Sequence, residues 1–583
     1  MNIHKKHTIR IYLLVAVLAL GVYANSIGNE YSMDDEFVTA DNPLILKGIK
    51  ALPEIFTTYY FKKGNEQFDY RPMVKASFAI EYSLFGRNPH MSHFINVLLY
   101  SLACCLLLKT LLMLFGESCL LFSLLTVLLF AVHPIHTEVV CSLKNRDVLL
   151  TFIASMSALV FCAKYCIRGQ WKYLIYGALF FFIAELCKSD SLAYFFIIPF
   201  TLFYFKKCTS KQLAVIVGVL FFAASLMQLL HYYVIEPGSS HCLLYYENPL
   251  FENNSFARRL PVGFSTLLAY LRLLILPYPL ICYYGFNQTP VLGWDSLQVI
   301  AGLILTLALM TYTLLNFKKR ALHLFGLLFF VLSLFVFLNI LTPVTGILGE
   351  RHAFAASLGF CVIVVALLLG IFRLNLSHPV DSGNLFYPLR TNSKFSYSFA
   401  VLLLLYSGLT LIRNPEWKDR FSLFSHDIRY APQSVQLQNL FAGACQLKYY
   451  DPKTSDAEKS LAIRTALSHY MESLKIYPLQ APANNNIGII LAGTYQQFDQ
   501  ALPYLEKAVE LRGALPEYNY NLGLNYANLN RSQDAIKSLK KCMELDSGYQ
   551  NAYSLLANIY SNMGLTAEAQ NLDRIKKRRF PNS

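Results

Sequence analysis

Long apolar runs, separated by short polar breaks, fill the first 415 residues of the chain. They cover residues 9–23, 94–115, 117–134, 147–167, 173–187, 190–205, 212–234, 297–316, 322–342, 353–373 and 397–412. Several runs approach or exceed the ~18–20 residues that a helix needs to cross the hydrocarbon core of a bilayer. The pattern therefore predicts a polytopic membrane domain with about eleven spanning helices.

One further apolar run, at 264–283, has a different pattern. Arg272 lies in its middle and two prolines lie near its end, so the run is compatible with a short span, a re-entrant hairpin or an interfacial helix. The basic cluster Lys318-Lys-Arg320 belongs on the cytoplasmic side, which requires that 264–283 does not cross. The long polar loop 26–92 and the C-terminal region then lie together on the non-cytoplasmic side.

The pattern changes after residue 415. Residues 416–429 form a polar connector, and residues 430–583 are polar with helical periodicity. Within them Ala501, Ala535 and Ala569 recur at intervals of 34 residues, and such a period is typical of tetratricopeptide repeats. Three to four repeats are predicted. The fold class expected for the chain is all-α, with a membrane domain at 1–415 and a C-terminal α-solenoid.

The amino-acid composition argues against a soluble globular protein and against a nucleic-acid-binding protein. Of 583 residues, 55% are hydrophobic and 15% are charged, which is too apolar for a soluble globular protein. The net charge of +14 does not indicate nucleic-acid binding, because the basic residues are scattered at helix ends. Most of the 13 cysteines lie inside apolar runs without paired CxxC spacing, which indicates a structural role as small hydrophobic side chains.

Three consecutive acids, Asp34, Asp35 and Glu36, follow the first apolar run almost at once. Carboxylates are stable in water and not in hydrocarbon, so a short tether fixes these acids close to the membrane surface. One interpretation is a solvated loop or a helix N-cap. Their number and position favour the other interpretation, the acidic group of an active site.

A second polar cluster begins with His133-Pro-Ile-His136-Thr-Glu138 and continues through Arg146. Two histidines and a carboxylate at this spacing are compatible with a metal site, but Pro134 breaks the helical geometry that would align them. Polar contact with a substrate, or with the first loop, is the favoured interpretation of this cluster.

Two further clusters combine a cation with a carboxylate at the ends of apolar runs, namely Lys188-Ser-Asp190 and Glu350-Arg351. A Lys/Asp pair at membrane depth marks either a site or a structural ion pair, and both interpretations remain open for Lys188 and Asp190. An arginine beside a membrane can hold a lipid-linked phosphate through charge-assisted hydrogen bonds. This chemistry indicates a phosphate-binding role for Arg351.

By the predicted topology, all of these clusters share one face of the membrane. A carboxylate there can act as general base on an acceptor hydroxyl. Cations can stabilise a departing phosphate while the apolar tail of the donor stays in the bilayer. The combination predicts a membrane enzyme that transfers a group from a lipid phosphate. No cofactor is indicated, and a divalent metal is not favoured.

An ordered series of stretches carries a resemblance to a known family. The stretches are Met33-Asp-Asp-Glu36, Tyr70-Arg-Pro-Met73, His133-Pro-Ile-His-Thr-Glu138, Asn145-Arg-Asp147, Lys188-Ser-Asp190, Gly349-Glu-Arg351 and Asn414-Pro-Glu-Trp-Lys-Asp419. Together with the repeats, they make the chain resemble the transmembrane and tetratricopeptide-repeat protein O-mannosyltransferases of the class C glycosyltransferase fold. The chain departs from that family's pattern at Asp190, where Glu is usual, and in its short repeat array.

The resemblance implies a mannose donor linked to polyprenyl or dolichyl phosphate and inverting transfer to a Ser or Thr hydroxyl of a protein bound by the repeats. It implies a catalytic acid in the first loop, and the candidates in order of preference are Asp35, Glu36 and Asp34. The candidate ligands of the donor phosphate are Arg351, Arg71, Arg146 and Lys188. The expected substrate contacts are Tyr70, His133, His136, Glu138, Asp190 and Glu350.

Two other functions remain open. The same fold can glycosylate a lipid or an envelope glycan, and repeats on a membrane anchor can serve as a non-enzymatic scaffold. The predicted location is a bacterial inner membrane, with the active loop and the repeats in the periplasm. The alternative is the endoplasmic reticulum membrane, with both in the lumen. The expected partners are membrane lipids, the sugar donor and the acceptor protein, and no nucleic acid.

Overall fold

The computed structural model describes residues 2–63, 66–234, 239–240, 244–374 and 387–580. The chain divides into two compact units, Met1–Tyr430 and Ala431–Ser583. Helices dominate both units, which confirms the predicted all-α class. The polar loop predicted at 374–396 lies mostly outside the described residues.

The first unit is built from helices that follow the apolar runs, because only a helix satisfies every backbone polar group of a segment within hydrocarbon. In chain order they are α1 (Asn2–Tyr23), α2 (Pro43–Leu46), α3 (Leu52–Ile55), α4 (Pro72–Phe85), α5 (Pro89–Phe115), α6 (Leu120–Ala131), α7 (Thr137–Cys141), α8 (Arg146–Arg168), α9 (Trp171–Cys187), α10 (Ala193–Tyr204), α11 (Ser210–Val234), α12 (Phe256–Ile275), α13 (Leu297–Asn316), α14 (Leu322–Leu334), α15 (Phe354–Ile371), α16 (Tyr387–Thr391), α17 (Ser393–Glu416) and α18 (Arg420–Asp427).

Seven helical segments in the described part of the chain are long and apolar enough to cross a membrane. They are Ile9–Ser26, Pro89–Phe115, Leu143–Arg168, Ser210–Val234, Leu297–Lys319, Glu350–Ile371 and Ser393–Glu416. A bent pair, Glu117–Ala131 with Pro134–Cys141, makes an eighth if it forms one span. These segments confirm a polytopic membrane protein. The count of eleven spans, and the re-entrant or interfacial assignment of 264–283, stay predictions.

The bent pair positions polar residues beside the first loop. Its two parts meet at 56°, and Pro134, which lacks a backbone N–H, begins the second part. The imidazole of His133 caps the new turn, since its Nδ1 accepts a hydrogen bond from the backbone nitrogen of Ile135 at 3.2 Å. The break turns the chain so that Glu138 and the segment before α8 meet other parts of the unit.

The polar loop 26–92 contains a small sheet in addition to α2, α3 and α4. Strand β1 (Phe61–Lys63) pairs antiparallel with β2 (Glu66–Phe68), and β2 pairs parallel with β3 (Ser239–Ser240). The parallel pairing connects the first polar loop to the second one, which follows α11. These short strands are the exception to the all-α prediction in the described part of the first unit.

Helices α14 and α15 approach each other at two glycines. A Cβ atom at Gly359 would lie 2.4 Å from the carbonyl oxygen of Gly326 and 2.7 Å from the backbone nitrogen of Phe330. A Cβ atom at Gly326 would lie 2.8 Å from the carbonyl oxygen of Gly359. The backbones therefore touch directly, and no larger residue fits at Gly359 without a shift of one helix.

The predicted connector 416–429 packs within the first unit. Asn414, at the end of α17, donates from Nδ2 to the carbonyl oxygen of Val22 and to Oδ1 of Asn25, both at 2.8 Å. The carbonyl oxygen of Lys418 accepts from the backbone nitrogen of Glu30 at 2.7 Å. These contacts fasten the beginning of the first loop to the end of α17.

The second unit consists of helix pairs. They are α19 (Val435–Tyr450) with α20 (Asp456–Ile476), α21 (Ala481–Ile489) with α22 (Phe498–Arg512), α23 (Pro516–Asn528) with α24 (Ser532–Leu545), and α25 (Gln550–Asn562) with α26 (Thr566–Arg579). The periodic residues Ala501, Ala535 and Ala569 are all buried. A π-helical turn, Ile490–Thr494, extends the end of α21. The architecture agrees with the predicted repeat array.

Candidate active site

Asp35 is fully buried and ties the first loop to the segment before α8. Its Oδ1 accepts hydrogen bonds from Ser142 Oγ at 3.1 Å and from the backbone nitrogen of Lys144 at 2.9 Å. Its Oδ2 accepts from the backbone nitrogen and Oγ of Ser32 at 3.1 and 3.3 Å. Burial raises the pKa of Asp35 to about 6, although these donors act in the opposite direction. This geometry favours a positioning role over the base role predicted for Asp35.

Asp34 is the member of the acidic triplet that reaches solvent most. Its side chain is 35% exposed and forms an ion pair with Lys144 Nζ. Burial alone would raise the pKa of Asp34, but the positive charges of Lys144, Arg420 and Arg351 hold it below its ordinary value. Asp34 is therefore an ionised carboxylate within the electrostatic field of three cations.

Glu36 lies between two arginines. Its Oε2 is 2.8 Å from Arg420 Nη2, and its Oε1 is 4.0 Å from Arg87 Nη2. Arg420 also donates from Nε to the carbonyl oxygen of Met33 at 2.9 Å. This pairing holds the triplet against the start of α18, so Glu36 contributes to the fixed shape of the loop.

Glu138 and Arg351 form a two-point contact between α7 and the turn before α15. Glu138 is 2% exposed and accepts from Arg351 Nη1 at 2.6 Å and from the Arg351 backbone nitrogen at 2.7 Å. The Arg351 side chain keeps 23% of its surface exposed. Glu138, which was predicted to contact the substrate, thus orients Arg351, which was predicted to bind the donor phosphate.

A chain of alternating charges joins three predicted site residues. Arg71 pairs with both Asp69 and the buried Asp147. Lys188 Nζ lies 3.6 Å from Asp147 Oδ2 and 3.3 Å from Asp190 Oδ2. The structure therefore brings Arg71, Lys188 and Asp190 together around one carboxylate, Asp147.

Arg146 lies in a different environment. Its side chain is 1% exposed and donates to Glu81 Oε2 at 2.7 Å and to Asn96 Oδ1 at 2.7 Å. The guanidinium carbon lies 3.9 Å from the centre of the Phe78 ring. A side chain engaged in this way has a structural role, and Arg146 is not available to a phosphate in this conformation.

The two histidines are also engaged inside the protein. His133 Nε2 is 3.0 Å from the carbonyl oxygen of Leu274. His136 lies 2.9 Å from Tyr100 Oη through Nδ1 and 2.7 Å from Ser357 Oγ through Nε2. Both rings are fully buried. Neither offers a nitrogen to a substrate or a metal, so their predicted substrate contact has no support in this geometry.

Tyr70 and Glu350 are the remaining predicted contacts. Tyr70 is 7% exposed and donates from Oη to the carbonyl oxygen of Phe56 at 2.7 Å. Glu350 is fully buried, and its Oε1 accepts from Tyr284 Oη at 2.8 Å. Both residues support the walls of the unit and present little surface to a ligand.

A partly open cavity lies between α8, α10, α14 and the start of α15. Its polar lining includes Lys188, Asp190, Arg351 and His352. Its apolar lining is supplied by Val148, Phe152, Ala193, Ile197, Phe337 and Phe354. Such a combination of a charged part and an apolar part suits an amphipathic molecule with an anionic head group.

Within the part of the chain that the structure describes, one group of residues has the spacing of a metal site. Ligand atoms of Glu416, His426 and Asp427 lie within 4.8 Å of one another. Arg413 occupies this cluster, because its Nη1 donates to Asp427 Oδ1 at 2.6 Å and to Glu416 Oε2 at 2.7 Å. Hydrogen bonds to the two carboxylates raise the pKa of His426 to about 9. A protonated imidazole and a guanidinium make this an ion-pair cluster that does not fit a metal ion.

Two site residues, Lys144 and Arg420, were not predicted from the sequence. Each pairs with an acid of the triplet, Lys144 with Asp34 and Arg420 with Glu36. Their signals are visible in retrospect: Lys144 precedes Arg146 in the second polar cluster, and Arg420 directly follows the stretch that ends at Asp419. The position of Lys144 or Arg420 in the sequence does not reveal its partner, because the partner lies far away in the chain. Arg420 and Glu36 are separated by several hundred residues.

Comparison with known proteins gives three findings. A tetratricopeptide-repeat family profile matches residues 516–549, which comprise α23 and α24. The human protein O-mannosyl-transferase TMTC1 is 25% identical over 528 aligned residues, covering 81% of this chain and 56% of that protein. The Drosophila melanogaster protein O-mannosyl-transferase Tmtc3 is 24% identical over 647 aligned positions, covering 95% of this chain and 66% of that protein.

The resemblance predicted from the sequence is confirmed by these relatives. The chain spans between 56% and 66% of their lengths. Among solved structures, the crystal structure of MamA matches 27% of this chain and 85% of its own, with 16% identity and a TM-score of 0.24.

Proposed function

We propose that this relative of the protein O-mannosyl-transferases is a membrane glycosyltransferase. It transfers mannose from a polyprenyl- or dolichyl-phosphate donor to a Ser or Thr hydroxyl of a protein on the non-cytoplasmic side. The similarity to TMTC1 and Tmtc3, which covers 81% and 95% of this chain, supports this activity. The repeats supply a surface for the acceptor protein.

The observation that carries the proposal is the cavity between α8, α10, α14 and α15. Lys188 and Arg351 line it together with apolar side chains from membrane helices. The two cations suit the phosphate of the donor, and the apolar wall suits its lipid tail. Burial acts in the opposite direction, but the positive charges of Lys144, Arg420 and Arg351 lower the pKa of Asp34. We propose that this ionised acid faces the donor held at Arg351.

In the proposed reaction, Asp34 acts as general base. Its carboxylate takes the proton of the acceptor hydroxyl, and the hydroxyl oxygen forms a bond to the anomeric carbon of mannose. The bond between that carbon and the phosphate oxygen breaks, and the lipid phosphate leaves with the electron pair. Attack from the opposite face inverts the anomeric configuration. Arg351 and Lys188 stabilise the negative charge on the departing phosphate.

The other acids have supporting roles in this proposal. Asp35 holds the loop through Ser32, Ser142 and Lys144, and Glu36 holds it through Arg420. The proposed location is the non-cytoplasmic face of the membrane, either the periplasmic side of a bacterial inner membrane or the lumenal side of the endoplasmic reticulum.

The test measures mannose transfer from a polyprenyl-phosphate mannose donor to Ser/Thr peptides by the full chain in lipid nanodiscs. Asp34→Asn should reduce transfer by about 100-fold or more, since a general base contributes ~10²–10⁴ in rate. Asp41→Asn is the matched control, because Asp41 is an exposed acid of the same loop. Equal transfer by the wild type and Asp34→Asn contradicts the mechanism. If the chain transfers mannose to lipid glycans and not to peptides, the acceptor is a glycan and the proposed protein acceptor is wrong.

A further inference from the structure

Three hydroxyl groups in the wall of the cavity have no hydrogen-bond partner among the residues that the structure describes. They are Thr151 Oγ1 on α8, Tyr194 Oη on α10 and Ser333 Oγ on α14. Their residues are 6%, 5% and 4% exposed, respectively. Three different helices thus bring unpartnered donors to one cavity.

Thr151 differs in this respect from three other threonines on the helices of the same unit. Thr110, Thr126 and Thr266 each donate to the carbonyl oxygen four residues earlier, at 2.8, 2.9 and 2.7 Å. Thr151 makes no such bond. Because an unpartnered buried hydroxyl is unfavourable, convergence of three on one cavity points to an occupant that accepts hydrogen bonds.

Two of the hydroxyl residues lie one helical turn beyond charged residues of the same segments. Thr151 follows Asp147 by four residues on α8, and Tyr194 follows Asp190 by four residues into α10. Four residues correspond to about one helical turn, ~5–6 Å. Thr151 and Tyr194 therefore form a hydroxyl layer about one turn along the chain from the charged layer of Asp147, Lys188 and Asp190. Ser333 lines the same cavity from α14.

The charged layer is already balanced by its own ion pairs. Lys188 lies between Asp147 and Asp190, and Arg351 is bound to Glu138. An arriving anion must share these cations with carboxylates. The hydroxyls have no competing acceptor, so they are the uncommitted donors of the cavity.

We infer that the hydroxyls of Thr151, Tyr194 and Ser333 bind the phosphate group of a lipid monophosphate with a polyprenyl-type tail. A phosphate accepts hydrogen bonds and donates few, which matches rotatable hydroxyl donors. The apolar wall formed by Phe152 and Ile197 continues from this layer and accommodates the tail. The inference rests on the proposed donor site and names the residues that position the phosphate beside Lys188 and Arg351.

The experiment measures binding of an unmodified polyprenyl monophosphate to the full chain in phosphatidylcholine nanodiscs. The variants Thr151→Val, Tyr194→Phe and Ser333→Ala each remove one hydroxyl and keep the approximate shape. Each should weaken binding about tenfold, the effect of one hydrogen bond to a charged group. Binding of the neutral polyprenol should change less than twofold, because it has the tail without the phosphate.

Two matched controls lie outside the cavity. Ser123 and Thr201 are also fully buried and unpartnered within the described residues, and they do not line this space. Ser123→Ala and Thr201→Val should bind the monophosphate as the wild type does. Thermal unfolding without lipid should show that the cavity variants are at least as stable as the wild type, since each loses an unpartnered buried hydroxyl.

The outcomes separate this inference from the proposed function. If the wild type and all three variants bind the monophosphate equally, the hydroxyls hold water or nothing, and the inference is wrong while the donor site stands. If the wild type binds no monophosphate, both proposals fail. If inorganic phosphate binds as tightly as the lipid and shows the same variant pattern, the site takes free phosphate and the lipid assignment is overturned.

Discussion

Both carboxylate oxygens of Glu138 accept hydrogen bonds from a single residue, Arg351. The guanidinium Nη1 donates to Oε1 at 2.6 Å, and the Arg351 backbone nitrogen donates to Oε2 at 2.7 Å. One bond fixes the side chain and the other fixes the turn that begins α15. The wall of the cavity on which Arg351 lies is therefore set by a residue 213 positions earlier in the chain.

Replacement of Glu138 by Ala should release this turn. We expect the free energy of unfolding to fall by about 2 kcal/mol, less than the ~3–5 kcal/mol of a fully buried pair, because Arg351 can turn toward solvent. Chemical denaturation in detergent measures the change. Glu117→Ala, at an exposed acid between α5 and α6, is the control. An unchanged stability would show that the contact contributes nothing measurable.

Substitutions of the adjacent acids Asp34 and Asp35 should have different effects, one on mannose transfer and the other on the free energy of unfolding. Asp35→Asn replaces an acceptor with an amide that faces backbone donors, and we expect a loss of about 2 kcal/mol in the free energy of unfolding. Asp34→Asn should leave the unfolding midpoint within a degree or two while reducing transfer by about 100-fold or more. Circular dichroism melts combined with transfer assays check both. If Asp35→Asn loses transfer but not stability, and Asp34→Asn loses stability but not transfer, Asp35 is the general base.

Arg146 should behave as a structural residue, contrary to its predicted phosphate contact. Arg146→Met leaves Glu81 buried without its partner, which should cost about 3–5 kcal/mol. The double variant Arg146→Met, Glu81→Leu removes both charges and should recover most of that loss. Denaturation of the four combinations gives the coupling energy. If Arg146→Met is as stable as the wild type but binds lipid phosphate weakly, the prediction that Arg146 contacts the donor phosphate is supported.

The His426 cluster should make stability depend on pH. The folded protein holds the His426 proton more tightly than the unfolded chain, because its pKa is raised from 6.5 to about 9. Its contribution to stability is therefore complete below pH 6.5 and declines as pH rises to 9. The melting difference between the wild type and His426→Gln should shrink over that range.

His90→Gln is the control for the pH measurement, since the His90 side chain is 51% exposed. It should shift the melting temperature little at any pH. A wild-type minus His426→Gln difference that stays constant from pH 6 to 9.5 would show that His426 is not held protonated by Glu416 and Asp427.

The contact between α14 and α15 should tolerate no side chain at Gly359. Gly359→Ala forces the helices apart against backbone atoms of α14, and overpacking of this kind costs about 1–3 kcal/mol. Because α14 carries Ser333 and α15 begins after Arg351, binding of a polyprenyl monophosphate should weaken as well. Gly370→Ala on the same helix is the control, since nothing lies within 4 Å of its added Cβ. Equal melting of the two variants would contradict the packing argument.

Apolar runs were sufficient to predict where the membrane helices lie, because hydrocarbon leaves a chain few alternatives to helix. The repeat period likewise predicted the helix pairs, with Ala501, Ala535 and Ala569 buried as expected. The span count could not be derived in the same way. Short helices such as α10 and α14 adjoin 3₁₀ turns, and length alone does not decide whether they cross.

The candidate site was predictable in outline and not in detail. The sequence placed Asp34 and Lys188 near a membrane surface, but burial depends on partners distant in the chain. Arg146 and Arg351 look alike in sequence as basic residues at helix starts, yet Glu81 and Phe78 enclose the first and leave the second partly exposed. Hydroxyls such as Thr151 lie inside apolar runs, where no local pattern distinguishes a ligand donor from a packed side chain.

Lys144 binds the two neighbouring acids Asp34 and Asp35 through different groups, and this has a consequence for the approach of an acceptor in the proposed reaction. Its backbone nitrogen holds Asp35, while its ammonium group holds Asp34. In the proposed reaction, an acceptor hydroxyl displaces the ammonium group from Asp34 through rotation of the Lys144 side chain, while the backbone bond keeps the loop in place. In the proposed reaction, the base is uncovered by an exchange of one flexible partner, and substrate binding requires no refolding of the loop.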